Sequence, residues 1–196
     1  GDWTYTVPTD YKELRPFNLP APATQGVDNF YADEYTGTGA EHARTSYGFD
    51  VGATIVKKTN TVGDWHLIDE NRGATLNMEI NNGNVESTDA QGVKTFDSDG
   101  ITLGTDTDYN QNTATFISYG FHLSGATGVS NSDGDITTTV DANEFGLWSN
   151  GKFTGNATAA QALGHGLGTK VAFVFVKNRD DAEAAHGWFP GMDGEY

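Results

Sequence analysis

The sequence predicts an all-β protein of antiparallel, sandwich-like modules arranged as a tandem repeat whose second copy is incomplete. Three observations carry this. Apolar and polar residues alternate at period two in run after run, while helical periodicity is nearly absent. Turn-forming clusters separate these runs at intervals of ~8–12 residues, the spacing of a sandwich or barrel. And one series of motifs occurs twice. Tyr35-Thr36-Gly37, Gly52-Ala53-Thr54-Ile55-Val56-Lys57 and Trp65 are answered by Phe153-Thr154-Gly155, Ala172-Phe173-Val174-Phe175-Val176-Lys177 and Trp188. The offset drifts from about 118 to about 123 residues, far too long for a solenoid and suited to tandem domains.

The elements follow in chain order. Trp3, Tyr5 and Val7 alternate with Thr4 and Thr6 as a strand does, and Pro8, Pro16, Pro20 and Pro22 then block any helix. Residues 1–22 therefore read as an extended N-terminal segment. Phe30 to Tyr35 is a strand, and Val51 to Lys58 is the strongest strand of the first copy. Asp64 to Ile68 puts Trp65 and Leu67 on one face. Ala74 to Ile80 alternates Leu76, Met78 and Ile80 against Thr75, Asn77 and Glu79. Asn81-Asn82-Gly83-Asn84 is a hairpin-type turn, and Asp97-Ser98-Asp99-Gly100 is another, leading into Ile101 and Leu103. Asn110 to Asn112 reads as a loop. Thr113 to Leu123 is apolar on both faces, the pattern of a central strand. Ser124 to Asp141 is rich in Gly, Ser, Asn and Asp and reads as a loop or connector. These elements divide the chain into the segment 1–22, a first sandwich repeat over 23–141, and 142–196 as the start of a second repeat or as strands that complete the assembly.

Composition excludes several functions. With 11 Lys plus Arg against 27 Asp plus Glu, the formal charge of −16 repels phosphate backbones, so nucleic acid is not an expected partner. There are no cysteines, hence no disulfide framework, thiolate metal site or cysteine nucleophile. No apolar run approaches the ~18 residues of a spanning helix, and no membrane partner is expected. The chain opens on Gly1 rather than Met, as an internal piece of a longer protein would.

Candidate chemistry is sparse. Asp97, Asp99, Asp106 and Asp108 fall close together, and calcium takes several loop carboxylates as ligands. The window lacks the glycine and glutamate of an EF-hand, and Asp-Ser-Asp-Gly also makes a plain turn in which aspartate caps its own backbone. A turn without a cofactor and a calcium site are the two readings. The five histidines form no HxH or HExxH arrangement. Glycoside hydrolysis needs two carboxylates facing one another across a cleft, and the scattered glutamates nominate no pair. Tyr31, Tyr47, Tyr109, Trp148 and Trp188 are aromatics that loops would present to sugar rings. Tyr109, Trp148 and Trp188 are the ligand-binding candidates, with burial as the alternative for the tryptophans. Tyr109, between Asp108 and Asn110 in a predicted loop, is the best placed.

The stretch Val51–Phe121 resembles a repeat module of structural proteins from tailed phages, marine ones especially. The residues are Ile55-Val56-Lys57-Lys58, Gly63-Asp64-Trp65, Arg72-Gly73-Ala74-Thr75, Phe96 through Gly104, and Thr115 through Phe121. The second copy matches through Phe153–Gly155, His165–Gly168 and Val174–Lys177, but has His186-Gly187-Trp188 in place of Gly63-Asp64-Trp65. Trp3–Leu19 looks like the closing strand of a SPRY-like domain. The resemblance implies a non-enzymatic virion part, a tail fibre or other appendage. Its role would be adhesive or spacing, its location virion or extracellular. Its partners would be other copies of itself, as a trimer, together with other virion proteins and a host surface glycan. Two alternatives remain open: a carbohydrate-binding or depolymerase-associated module, and a filament subunit that inserts Asp2–Pro22 or its last strands into the next copy.

Overall fold

A computed structural model describes residues 25–123 and 128–192. The segment 1–22, with its strand and SPRY-like readings, lies outside them.

In chain order the strands are β1 (Phe30–Thr36), β2 (His42–Arg44), β3 (Val51–Lys58), β4 (Trp65–Asp69), β5 (Leu76–Glu79), β6 (Ser87–Thr88), β7 (Val93–Asp97) and β8 (Gly100–Leu103). A one-turn helix α1 (Thr107–Asn110) precedes β9 (Thr115–His122). Then come β10 (Val129–Asn131), β11 (Thr138–Ala142), β12 (Ser149–Lys152), β13 (Val174–Val176) and β14 (His186–Trp188). The all-β prediction holds, and every pairing between these described strands is antiparallel.

The largest sheet runs β1-β9-β3-β4-β5-β6, and a three-stranded sheet β2-β8-β7 contributes the other side of the core. Both long runs predicted from period two lie at its middle. β9, apolar on both faces, is held by β1 on one side and β3 on the other. Its inner residues Phe116 and Ser118 are buried with Tyr35, Val56 and Ile68, against Val93, Ile101 and Leu103 of the smaller sheet. Tyr47 fills the gap between the sheets. Its hydroxyl shares a 2.6 Å hydrogen bond with Ser118, and its ring lies over Gly120, where a Cβ would come within 2.5 Å of it. Glycine in a strand interior here marks close approach. The tight turn Ser98-Asp99 joins β7 to β8 as predicted, with Asp97 paired to Gly100.

Polar side chains close the core's margins. Asp33 accepts two hydrogen bonds from Arg44, 2.7 and 2.8 Å long, and the guanidinium lies 5.0 Å from the Tyr35 ring centre. Arg72, almost fully buried, bonds Asp69, Glu86 and the Leu67 carbonyl. Charges this deep persist only when paired.

The connector reading of 124–141 is corrected. Within it lie β10 and most of β11, which with β12 form a third sheet. Thr138 and Val140 bury one face there, short β-branched residues that keep strand geometry despite turn-rich surroundings. The expected boundary between 141 and 142 falls inside β11. This sheet is tied to the main one: Asn143 donates to Asn29 Oδ1 and to the His122 carbonyl, and Asn71 donates to the Thr139 carbonyl. The last sheet is the hairpin β13–β14, the second-copy counterpart of β3–β4. Its register differs, since Trp65 faces Lys57 whereas Trp188 faces Val174.

Candidate functional site

Side chains of the main sheet that point away from the core build a second apolar surface. Cross-strand pairing fixes its rows. One row is Ala32, Tyr119, Ile55, Leu67 and Met78, running across β1, β9, β3, β4 and β5. The next holds Glu34, Ile117, Lys57 and Trp65, and a third begins with Phe30 and Phe121. Aromatic rings dominate it. Phe30 and Tyr119 lie 6.0 Å apart with planes 15° from parallel, and Tyr119 and Trp65 lie 6.3 Å apart at 11°. Phe121 meets Trp148 edge-on at 5.3 Å, and Phe30 meets Trp148 at 6.3 Å. These spacings fall in the range where aromatic pairs add about 0.5–1.5 kcal/mol beyond burial. Phe30 is exposed, and Trp65, Tyr119, Phe121 and Trp148 are half-buried. The surface is therefore an aromatic file on a rigid sheet, partly open to solvent.

The three aromatic ligand candidates part company. Trp148 joins this file: its indole N–H donates to the His122 carbonyl at 2.8 Å, which fixes the ring beside Phe121. Tyr109 does not reach any surface. It is 0% exposed, within the core, with its ring 4.8 Å from that of His66. Burial pushes its phenol far above the usual range, with Asp89 and Asp106 adding to the effect. The predicted loop is instead α1, started by Asp106, whose side chain accepts the Asp108 amide. The single turn of helix rotates Tyr109 inward, where Asn110 is held by bonds to the Ala40 and Gly104 carbonyls. A ligand role for Tyr109 is thereby excluded. Trp188, on β14, is 42% exposed, so the burial alternative fails for it. Tyr47 is also in the core, and Tyr31 is exposed beside it, 5.1 Å away.

The four aspartates are engaged separately. Asp97 accepts from the Thr95 and Thr102 hydroxyls. Asp99 accepts the Ser46 and Gly48 amides, and these backbone bonds hold its carboxyl below the ordinary range. Asp106 caps α1, and Asp108 lies 3.5 Å from Lys58. Among the described residues no three His, Asp or Glu side chains converge as a metal site would require. The turn reading accounts for Asp97 and Asp99, and the helix cap for Asp106. An open groove near the loop end of the main sheet is lined by Asp28, Phe49, Asp50, His122, Glu144 and Phe145.

Comparison with family models decides the family. A model described as a domain of unknown function, DUF7483, matches residues 25–192. The chain belongs to the DUF7483 family. The match spans both the main sandwich and the β13–β14 hairpin, so the DUF7483 domain takes in residues of both motif copies. No curated protein and no solved structure matches the DUF7483 chain.

Sequence reasoning did not count Trp65 among the ligand candidates and so missed it as part of the aromatic file. The signal was present: Trp65 and Leu67 share one face of β4, and Ile117, Tyr119 and Phe121 one face of β9. What period two leaves open is which face meets the second sheet.

Proposed function

We propose that the chain is a non-enzymatic structural module of a tailed-phage virion, from a tail fibre or another appendage, with an adhesive or spacing role. The observation that carries this reading is the aromatic file Phe30–Tyr119–Trp65, with Phe121 and Trp148, on the outer face of a six-stranded sheet. A sheet face holding aromatic rings makes contacts of low entropic cost. Contacts of this kind are weak singly and become strong when an appendage presents many copies at once. The motif resemblance over Val51–Phe121 supports placing the module in a virion. Immunogold labelling of particles from the host culture, with antibodies raised against the chain, tests the placement. Gold on tails or fibres is expected. Labelling of cells with bare virions would refute it.

A second reading, a carbohydrate-binding module, is favoured by one specific feature. The near-parallel rings of Phe30, Tyr119 and Trp65 stand in a row on one face, 6.0 and 6.3 Å apart. Glycan-array binding that Trp65→Ala and Tyr119→Ala both abolish would establish it, and a blank array would remove it.

A further inference from the structure

Asn-Gly occurs twice in the chain, as Asn82-Gly83 and Asn150-Gly151. Glycine leaves its own backbone nitrogen unshielded. That nitrogen can attack the carboxamide of the preceding asparagine and close a cyclic imide, provided the fold lets the two groups meet. The fold treats the two sites oppositely. Asn150 and Gly151 lie inside β12, opposite Asp141 and Val140 of β11, so their backbone is extended and held in a ladder. Asn82 and Gly83 lie in the turn after β5, outside any strand, and among the described residues the Gly83 amide makes no hydrogen bond.

The Asn82 carboxamide is oriented at both ends. Its oxygen accepts the Asn84 amide at 2.9 Å, and its nitrogen donates to the Glu79 carboxylate at 2.5 Å. An N–H aimed at the carbonyl oxygen stabilises the negative charge that this oxygen gains when Cγ is attacked. The backbone carbonyl of Asn82 has a different partner. Lys177, the residue after β13, donates to it at 3.0 Å and to the Glu183 carbonyl at 2.8 Å. A carboxylate thus lies beside Cγ and an ammonium beside the backbone carbonyl.

We infer that Asn82-Gly83 is a self-modification site, which the folded chain converts without an enzyme to isoaspartate. The Gly83 nitrogen bonds Asn82 Cγ as its proton passes to solvent base. The Cγ–Nδ2 bond breaks, and Nδ2 takes up a proton and leaves as ammonia. Water then opens the imide at one of its two carbonyls. Opening at Cγ gives aspartate, whose new carboxylate would face Glu79 as a like charge at hydrogen-bond distance. Opening at the former backbone carbonyl gives isoaspartate. Cγ then stays an uncharged amide beside Glu79, and the new carboxylate faces the Lys177 ammonium, a charge-assisted pair in place of a neutral bond. Both neighbours favour the second course. The chemistry is independent of where the chain works, so its failure would leave the virion reading untouched.

Peptide mapping of the folded chain, held at neutral pH and body temperature, tests this, with electron-transfer dissociation to tell isoaspartate from aspartate. Asn82 is expected to convert about tenfold faster than Asn150 or more, and to a larger isoaspartate share than in the chain unfolded by guanidinium, where the two sites converge. Gly83→Ala is the first control. Gly83 has a φ outside the left-handed region, and a Cβ there meets nothing nearer than 3.7 Å, so the fold is kept while conversion slows. Lys177→Gln is the second, and lowers the isoaspartate share toward that of the unfolded chain. An unchanged Asn82, an Asn150 that keeps pace with it, or a gap that persists in guanidinium overturns the site. A Gly83→Ala chain that converts at the wild-type rate overturns the imide route. An isoaspartate share equal in the folded and unfolded chains, or one that Lys177→Gln leaves unmoved, overturns the steering by Lys177.

Discussion

Replacing Arg72 by Met tests the account of how the main sheet and the hairpin are bound together. Arg72 sits between two carboxylates. Its side chain is 4% exposed, Asp69 beside it is 1% exposed, and Glu86 on its other side is 12% exposed. It also satisfies the Leu67 carbonyl. Removing one partner of a buried pair costs about 3–5 kcal/mol, because a buried charge is left behind. Asp69 still accepts the backbone amide of residue 72, and Glu86 still holds Arg179. Both acids thus keep a donor, which places the loss near the lower end, about 3 kcal/mol. With a urea m-value of about 2 kcal/mol per molar, the midpoint falls by about 1.5 M. Trp fluorescence across a urea titration reads this directly. Arg179→Met is the control. Its side chain is 37% exposed, so its loss stays below about 1 kcal/mol. Asp69→Asn on the Arg72→Met background removes the stranded charge and recovers part of the loss, a coupling of about 1–2 kcal/mol. A loss under about 1 kcal/mol for Arg72→Met, or one no larger than that of Arg179→Met, would refute the buried-pair account.

Three further outcomes follow from the same geometry. The Tyr109 hydroxyl is buried with no hydrogen-bond partner among the described residues, so Tyr109→Phe leaves the urea midpoint unchanged or raises stability by up to about 1 kcal/mol; a clear loss would show that the hydroxyl is satisfied. Burial raises the Glu70 carboxyl, with Asp141, Asp50 and Asp69 adding to it, so the folded state disfavours its charge and Glu70→Gln is more stable at pH 7. The wild type gains stability as pH falls through that raised value, and the gap closes in the ordinary carboxylate range; melting at pH 7 and pH 4 that shows a constant gap would contradict this. Asp97, Asp99 and Asp106 already serve hydroxyls and amides, so adding calcium or EDTA leaves the melting temperature within error, and a calcium-dependent rise would restore the metal site.

The fold was legible where period two was long and uninterrupted. Thr113–Leu123 declared a central strand because both of its faces are apolar, Val51–Lys58 declared the strongest strand of the first copy, and the two occupy the middle of the six-stranded sheet. Asp97-Ser98-Asp99-Gly100 declared its turn through residue chemistry alone. Legibility failed where the local pattern was short. Thr138–Ala142 carries too few apolar residues to outweigh its glycine- and asparagine-rich neighbours, and becomes a strand through pairing with β10 and β12. Tyr109 looked exposed because Asp106, Asp108 and Asn110 surround it. The same aspartates start a single helical turn, and that turn reverses the direction of the ring. A polar flank reports what caps the backbone, not where the aromatic between the caps points.

The candidate site was less legible for a different reason. The aromatic file belongs to no segment: Phe30, Trp65, Tyr119 and Trp148 come from four separate stretches and meet only through the register of β1, β9, β3 and β4 and the docking of the third sheet. Alternation within each strand marks two faces without telling which is the core. Gly120 resolves that ambiguity for β9. A glycine between Tyr119 and Phe121 belongs to the face that another ring must approach, so Phe116 and Ser118 point inward and Ile117, Tyr119 and Phe121 outward. Once β9 is oriented, pairing carries the assignment across: Tyr119 faces Ile55, Ile55 faces Leu67, and Trp65 lies two residues from Leu67 on the same side. The outward face of this sheet is apolar because those residue types are, and what it meets is set by rings the core does not use.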